Sequence, residues 1–180
     1  MPDRRSHCGA HPEDEKLFSP AVLSAAAVDF CWLLDRAYAK PAALKLVGDR
    51  YRLTKRQRLA VGRCACGDEE LSDRRRRQID VGLLAGRTLL VDGYNVLLTV
   101  EGALGGGLIL LARDGCFRDM ASVHGSYRKL DETVPALELV AQVNARLGVV
   151  SCHWYFDTPV SNSGRLKSLI GQFATQHGWR

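Results

Sequence analysis

Residues 87–95 read RTLLVDGYN, a short apolar run that ends in an acid, Asp92, and a glycine, Gly93. An apolar run of this length closed by a turn signal is the pattern of a buried strand in a parallel sheet. Two later stretches repeat it. LILLARDG (108–115) ends in Asp114 and Gly115, and VVSCHWYFD (149–157) ends in Asp157. Between these runs the chain reads as helices: NVLLTVEGAL (95–104), closed by the glycines at 105–107, then FRDMASVHGSYRKL (117–130) and TVPALELVAQVNARLG (133–148). The last run is followed by SNSGRLKSLIGQFATQHG (161–178), with small polar residues at its start and Gly178 at its end. The order β-α-β-α-α-β-α predicts an α/β fold with a parallel sheet and right-handed crossovers.

Parallel strands share a carboxyl edge, and open α/β sheets bind their ligands there. The expectation is therefore that Asp92, Asp114 and Asp157 converge. Clustered carboxylates repel one another without a cation, and they are hard oxygen ligands suited to Mg²⁺ or Mn²⁺. Asp119 falls close enough to join them, and Glu101 could reach the cluster from the first helix. Asn95, three residues after Asp92, can hold that carboxylate or cap the helix. Ser161, Asn162 and Ser163 open a helix with Arg165 just after. Such a start can bind phosphate through backbone N–H groups and a bidentate guanidinium. The chemistry these parts suggest is metal-assisted attack on a phosphodiester. Each residue also has a plainer role, as a helix cap or a surface ion pair.

The first half reads differently. FSPAVLSAAAVDFCWLLDRAYAK (18–40) has helical spacing, with Ser19 as cap and Pro20 at the first helical position. PAALKLVGDRYRL (41–53) reads as a short helix and a Gly-Asp turn, and Thr54 then caps a basic helix, KRQRLAVGRCA (55–65). CGDEELSDRRRRQID (66–80) is charge-segregated, with Ser72 as a possible cap. The expected division is a loose N-terminus (1–16), a helical basic domain (17–84) and an α/β domain (85–180).

Charge is uneven. Residues 36–77 carry 13 Lys/Arg against 5 Asp/Glu, a net of +8, within a chain of net +5. A basic helical half points to an anionic partner, RNA foremost, with Arg74, Arg75, Arg76 and Arg77 as candidate contacts, or else to a solvated helix face. The hydrophobic fraction of 46% is that of a globular protein. No apolar run reaches the roughly 18 residues a membrane span needs, and the polar N-terminus has no signal-peptide core, so a cytoplasmic location is expected. The six cysteines then suit reduced thiols better than disulfides. His7, Cys8, His11, Cys64 and Cys66 lack the spacing of a zinc knuckle. GALGGG (102–107) lacks a P-loop lysine. His124, Tyr127 and Arg128 are weaker candidates for proton transfer or a substrate groove.

The segment LLVDGYNVL (89–97) resembles the opening strand of PIN-like nucleases, especially their NYN branch. More widely, AAVDFCWLLDRAYAK (26–40) and LVGDRYRLTKRQRLAVGR (46–63) resemble domain-of-unknown-function family 434. VDGYNVLLTVEGAL, DGCFRDMASVHGSYR and DTPVSNSGRLK resemble the PIN-like domain that accompanies it. The resemblance covers about residues 20–180. It implies a PIN-like Rossmannoid fold and a Mg²⁺- or Mn²⁺-dependent ribonuclease. Asp92 matches the first metal-binding acid, and Asp114, Asp119 and Asp157 match later acids by strand-end position. Ser161, Asn162 and Ser163 stand where many such sites have a further acid. A final strand of the fold is missing, so a shortened form of the domain is expected. A non-catalytic RNA-binding adaptor with the same fold is the alternative, and a small-molecule phosphatase a third.

Overall fold

The structure, a computed structural model, describes residues 14, 18, 20–121, 131–157 and 163–176. In chain order the elements are helices α1 (Pro20–Leu34), α2 (Lys40–Arg50), α3 (Lys55–Cys64) and α4 (Asp68–Arg77), then strand β1 (Thr88–Asp92) and helix α5 (Gly93–Leu104). Strands β2 (Ile109–Leu111) and β3 (Phe117–Asp119), helix α6 (Thr133–Arg146), strand β4 (Ser151–Tyr155) and helix α7 (Ser163–Gln176) follow. The fold is mixed α/β with a helical N-terminal half. It divides into two compact units: residues 10–78 with 107–120, and residues 79–106 with 121–180. No helix among the described residues is long and apolar enough to cross a membrane.

The helical unit packs α1 against α2 and α3 around Ala26, Phe30, Ala43, Val47, Leu53, Val61 and Ala65. Helix α1 ends earlier than its periodicity suggests, in a turn where Ala37 takes φ 60°, and α2 begins with Pro41 in its first turn. Helix α2 runs through the Gly-Asp pair instead of turning there. Gly48 lies under the Arg58 guanidinium, which a Cβ there, 2.2 Å away, would push aside. Thr54 and Gln57 form a reciprocal capping box at the start of α3. Thr54→Ala is expected to destabilise this unit by about 1 kcal/mol, read from its urea midpoint. Helix α4 starts after Gly67 rather than at Ser72. Its charge segregation suits the helix dipole, with Asp68, Glu69 and Glu70 in the first turn and Arg74 to Arg77 in the last.

LILLARDG departs from the expected parallel strand. Strand β2 pairs antiparallel with β3, Ile109 opposite Asp119 and Leu111 opposite Phe117. Only five residues separate the two strands, too few for the crossover that a parallel neighbour needs. Gly115 takes φ +82°, and Ala112 N–H donates to Cys116 O at 3.0 Å, closing the loop. The expected helix from Phe117 therefore does not begin there, and residues 122–130 lie outside the described residues. This hairpin belongs to the helical unit. Arg113 N–H donates to Cys64 O at 2.8 Å, and its Nη1 donates to Cys66 O at 2.6 Å.

The second unit holds the parallel pair. β1 lies beside β4 in the register Thr88↔Ser151 to Asp92↔Tyr155. Tyr94, Leu97, Leu98, Ala136, Leu137, Phe156, Leu166 and Phe173 form its core under α5, α6 and α7. The strands are less buried than a fully apolar run implies. In β1 Thr88, Leu90 and Asp92 face outward, and Leu90 is 71% exposed. Alternation along a pleated strand puts one face in the core and leaves the other outside.

Candidate active site

The register brings two of the predicted acids together. Asp92 is the last residue of β1, opposite Tyr155, and Asp157 lies two residues beyond Tyr155 on the neighbouring strand's exit. Both line one open cleft of about 450 Å³ with Leu90, Val91, Tyr155 and Phe156. Asp92 is exposed and serves as N-cap of α5. Asn95 Nδ2 donates to Asp92 Oδ2 at 2.6 Å, and the Asn95 N–H reaches Oδ1 at 3.5 Å. Of the two roles weighed for Asn95, it takes the first, holding the Asp92 carboxylate, while the cap of the helix is Asp92 itself.

Gly93 acts through size. α5 starts directly at Gly93, and a Cβ there would lie 2.3 Å from Phe156 Cε1. The Phe156 ring meets Tyr94 edge-on at 5.0 Å and stacks on Trp154 at 6.2 Å, so it has little room to yield. Glycine thus lets the two strand ends approach. Gly93→Ala is expected to destabilise the α/β unit by about 1–3 kcal/mol through overpacking, read by urea denaturation. Beneath the cleft, burial and then the negative charge of Asp157 push the Tyr94 phenol up.

The other predicted acids lie elsewhere. Asp114 and Asp119 sit on the hairpin of the helical unit, so the three strand-end acids do not share one sheet edge. The physical reason is the hairpin itself, which reverses β2 before it can join β1. The Asp114 side chain is 2% exposed. Arg118 donates to it through both nitrogens at 2.8 and 2.7 Å, Arg74 adds a contact, and the Cys116 N–H donates at 3.1 Å. The Arg118 guanidinium, with the Cys116 N–H and Arg74, holds this carboxyl well below the usual carboxylate range, against the opposing effect of burial. Asp119 is buried and accepts from Arg63 at 3.1 Å. Glu101 is fully buried and accepts from the Thr133 hydroxyl, inside the α/β unit rather than at its strand edge.

The remaining candidates divide in the same way. Arg165 is exposed in the first turn of α7. Ser163 opens that helix, while Ser161 and Asn162 lie outside the described residues, as do His7, Cys8, His11, His124, Tyr127 and Arg128. Cys64 and Cys66 are free thiols pushed up by burial. The arginine run is largely spent on internal pairs. Arg74 meets Asp114 and Glu70, Arg76 meets Asp73, and Arg77 lies 4.0 Å from Asp73. Arg75 makes no ion pair among the described residues. The plainer sequence reading, an ion pair of the strand-end acid with Arg113 or Arg118, is met by Arg118 on Asp114, while sequence reasoning missed Arg63 and Arg74 as partners of the hairpin. Arg113 and Arg118 flank the Asp114 turn, but nothing in their spacing marks Arg63 and Arg74 as partners.

Residues 22–77 match a family described as protein of unknown function (DUF434). "Uncharacterized protein MJ0935" from Methanocaldococcus jannaschii is 32% identical over 142 residues, spanning 79% of this chain and 68% of that protein. No solved structure matches. Residues 81–180, more than half of the chain and the part that carries the Asp92–Asp157 cleft, match the family described as domain of unknown function (DUF5616), and the chain belongs to that family.

Proposed function

We propose that the protein is a Mg²⁺- or Mn²⁺-dependent ribonuclease whose α/β unit is a PIN-like domain. The observation that carries this reading is the placement of Asp92 and Asp157 at the carboxyl ends of two paired parallel strands, in one open cleft. Magnesium is usually held through one or two carboxylates, with waters and substrate phosphate completing its shell. Two exposed carboxylates lining one open cleft fit that demand. A bound ion of this kind polarises a phosphoryl oxygen and makes a water more acidic.

The chain's own residues do the positioning. Asn95 fixes the Asp92 carboxylate with one oxygen engaged by the side-chain amide. Arg165, exposed at the start of α7, is placed in this reading to grip a non-bridging phosphate oxygen pair. Asp114 and Asp119, engaged by arginines, take a structural part.

A second reading is a non-catalytic RNA-binding adaptor. It is favoured by one observation: Asp114 and Asp119 lie on the hairpin of the helical unit and are not part of the cleft that Asp92 and Asp157 line. Incubating the full chain with end-labelled single-stranded RNA across a Mn²⁺ and Mg²⁺ titration separates the two. Cleavage that follows metal concentration and stops with chelator supports the nuclease. Binding without cleavage at any metal concentration supports the adaptor.

A further inference from the structure

The α1–α2 turn of the helical unit carries an aromatic and basic surface that the arginine run does not. Trp32 and Tyr38 are exposed, at 51% and 48%. Between and after them stand Arg36 and Lys40, both exposed and without an ion pair among the described residues. The Arg36 guanidinium lies over the Trp32 ring, 3.6 Å from its centroid, and its Nη1 donates to Trp32 O at 3.1 Å. Trp32 borders two grooves of the same unit, of about 740 and 490 Å³.

The acids nearby are already engaged. Asp35 accepts from the Asp68 N–H. Asp29 accepts from the Tyr51 hydroxyl at 2.9 Å and lies 3.4 Å from Arg50. The amide that Asp35 accepts from is neutral, so Asp35 keeps its charge and the turn carries a net of +1 from Arg36 and Lys40, neither of them in an ion pair among the described residues, while most arginines of α3 and α4 pair with carboxylates of the chain itself.

We propose that this turn is a stacking platform for single-stranded RNA, with Trp32 as the base-contacting ring and Arg36 and Lys40 as phosphate contacts. It rests on the reading of the protein as one that acts on RNA, and it names where that RNA is held. An exposed indole backed by a guanidinium offers a flat, electron-rich face that any unpaired base can stack on. The cations beside it track a phosphate backbone. A duplex hides its base faces and gains only the charge term. An acidic peptide would use the cations but has no flat ring for the indole.

The test is binding of a fluorescein-labelled single-stranded RNA to the full chain by anisotropy, in chelator so that no cleavage intervenes. Trp32→Ala is expected to weaken binding about tenfold, the effect of one lost base stack, and Trp32→Phe to restore most of it. Replacing Arg36 and Lys40 with Gln is expected to lower the slope of log affinity against log salt by about 1–2. Equal affinity of the wild type and Trp32→Ala, or equal affinity of the wild type for duplex and single strand, overturns the proposal. So does a Trp32→Ala loss for a polyglutamate peptide that matches the loss for RNA, which assigns the turn to an acidic protein segment. The two readings fail separately. Metal-dependent cleavage with an unchanged KM in Trp32→Ala removes the platform alone, and Trp32-dependent binding without cleavage removes the nuclease alone.

Discussion

Asp114→Ala is expected to destabilise the helical unit by about 2–4 kcal/mol, measured by urea unfolding at neutral pH. Breaking a buried ion pair from one side costs about 3–5 kcal/mol, because the partner charge stays behind. The lower range applies here because Arg74 and Arg118 remain 38% and 26% exposed and can regain some water. The loss also removes the acceptor for the Cys116 N–H that shapes the turn. The β2–β3 hairpin should loosen first, seen as faster amide exchange at Ile109–Leu111 and Phe117–Asp119. The pH dependence has a definite sign. The folded state holds this carboxyl below its unfolded value of about 3.9. Its contribution is therefore complete above that value and is lost as pH falls below about 4 toward the folded pKa. The gap between wild type and Asp114→Ala should be constant from neutral pH down to about 5 and should narrow below 4.

On the proposal of a metal-dependent ribonuclease, Asp92→Asn is expected to reduce RNA cleavage by about 10³-fold, the scale of several kcal/mol that a metal ion supplies to such a transition state. The fold should be spared. Asn is as good an N-cap as Asp, so the start of α5 keeps its cap. Unchanged urea stability with lost cleavage separates a chemical role from a structural one. Mn²⁺ binding, followed by calorimetry without RNA, should weaken in parallel. Retained cleavage in Asp92→Asn at full stability would move the chemistry out of this cleft.

Much of the helical architecture could be read from the chain. Thr54 marks a helix start, and Gly106 and Gly148, both at positive φ, mark stops. Their signals are local: a capping box and an αL glycine act within a few residues. The strand of Thr88–Asp92 was legible for the same reason, as was the clasp between Asp92 and Asn95, three positions apart. Gly93 was read as a turn former, but its need comes from Phe156, 63 positions away, a contact that no local pattern carries.

LILLARDG looked like its two neighbours because an apolar run of three or four residues does not state its direction. Hydrogen-bond pairing decides that, and here a five-residue loop with Gly115 at positive φ sent β3 straight back. That reversal moved Asp114 and Asp119 to the helical unit, where Arg63, Arg74 and Arg118 meet them. Of the arginine run only Arg74 is drawn into these pairs, while Arg76 and Arg77 share Asp73 at the surface and stay 70% and 79% exposed.

The sequence by itself determined the helical first half, the strand-end Asp92 with its Asn95 clasp, and the excess of positive charge in residues 36–77. Only the tertiary structure decided which acids share an edge and which cations remain free. Caps, turns and periodicity are settled by neighbours along the chain. The pairing of β1 with β4 and the ion pairs of the hairpin join residues 40 to 63 positions apart, as Arg74 joins Asp114, Arg63 joins Asp119 and Thr88 joins Ser151, and folding alone selects those partners.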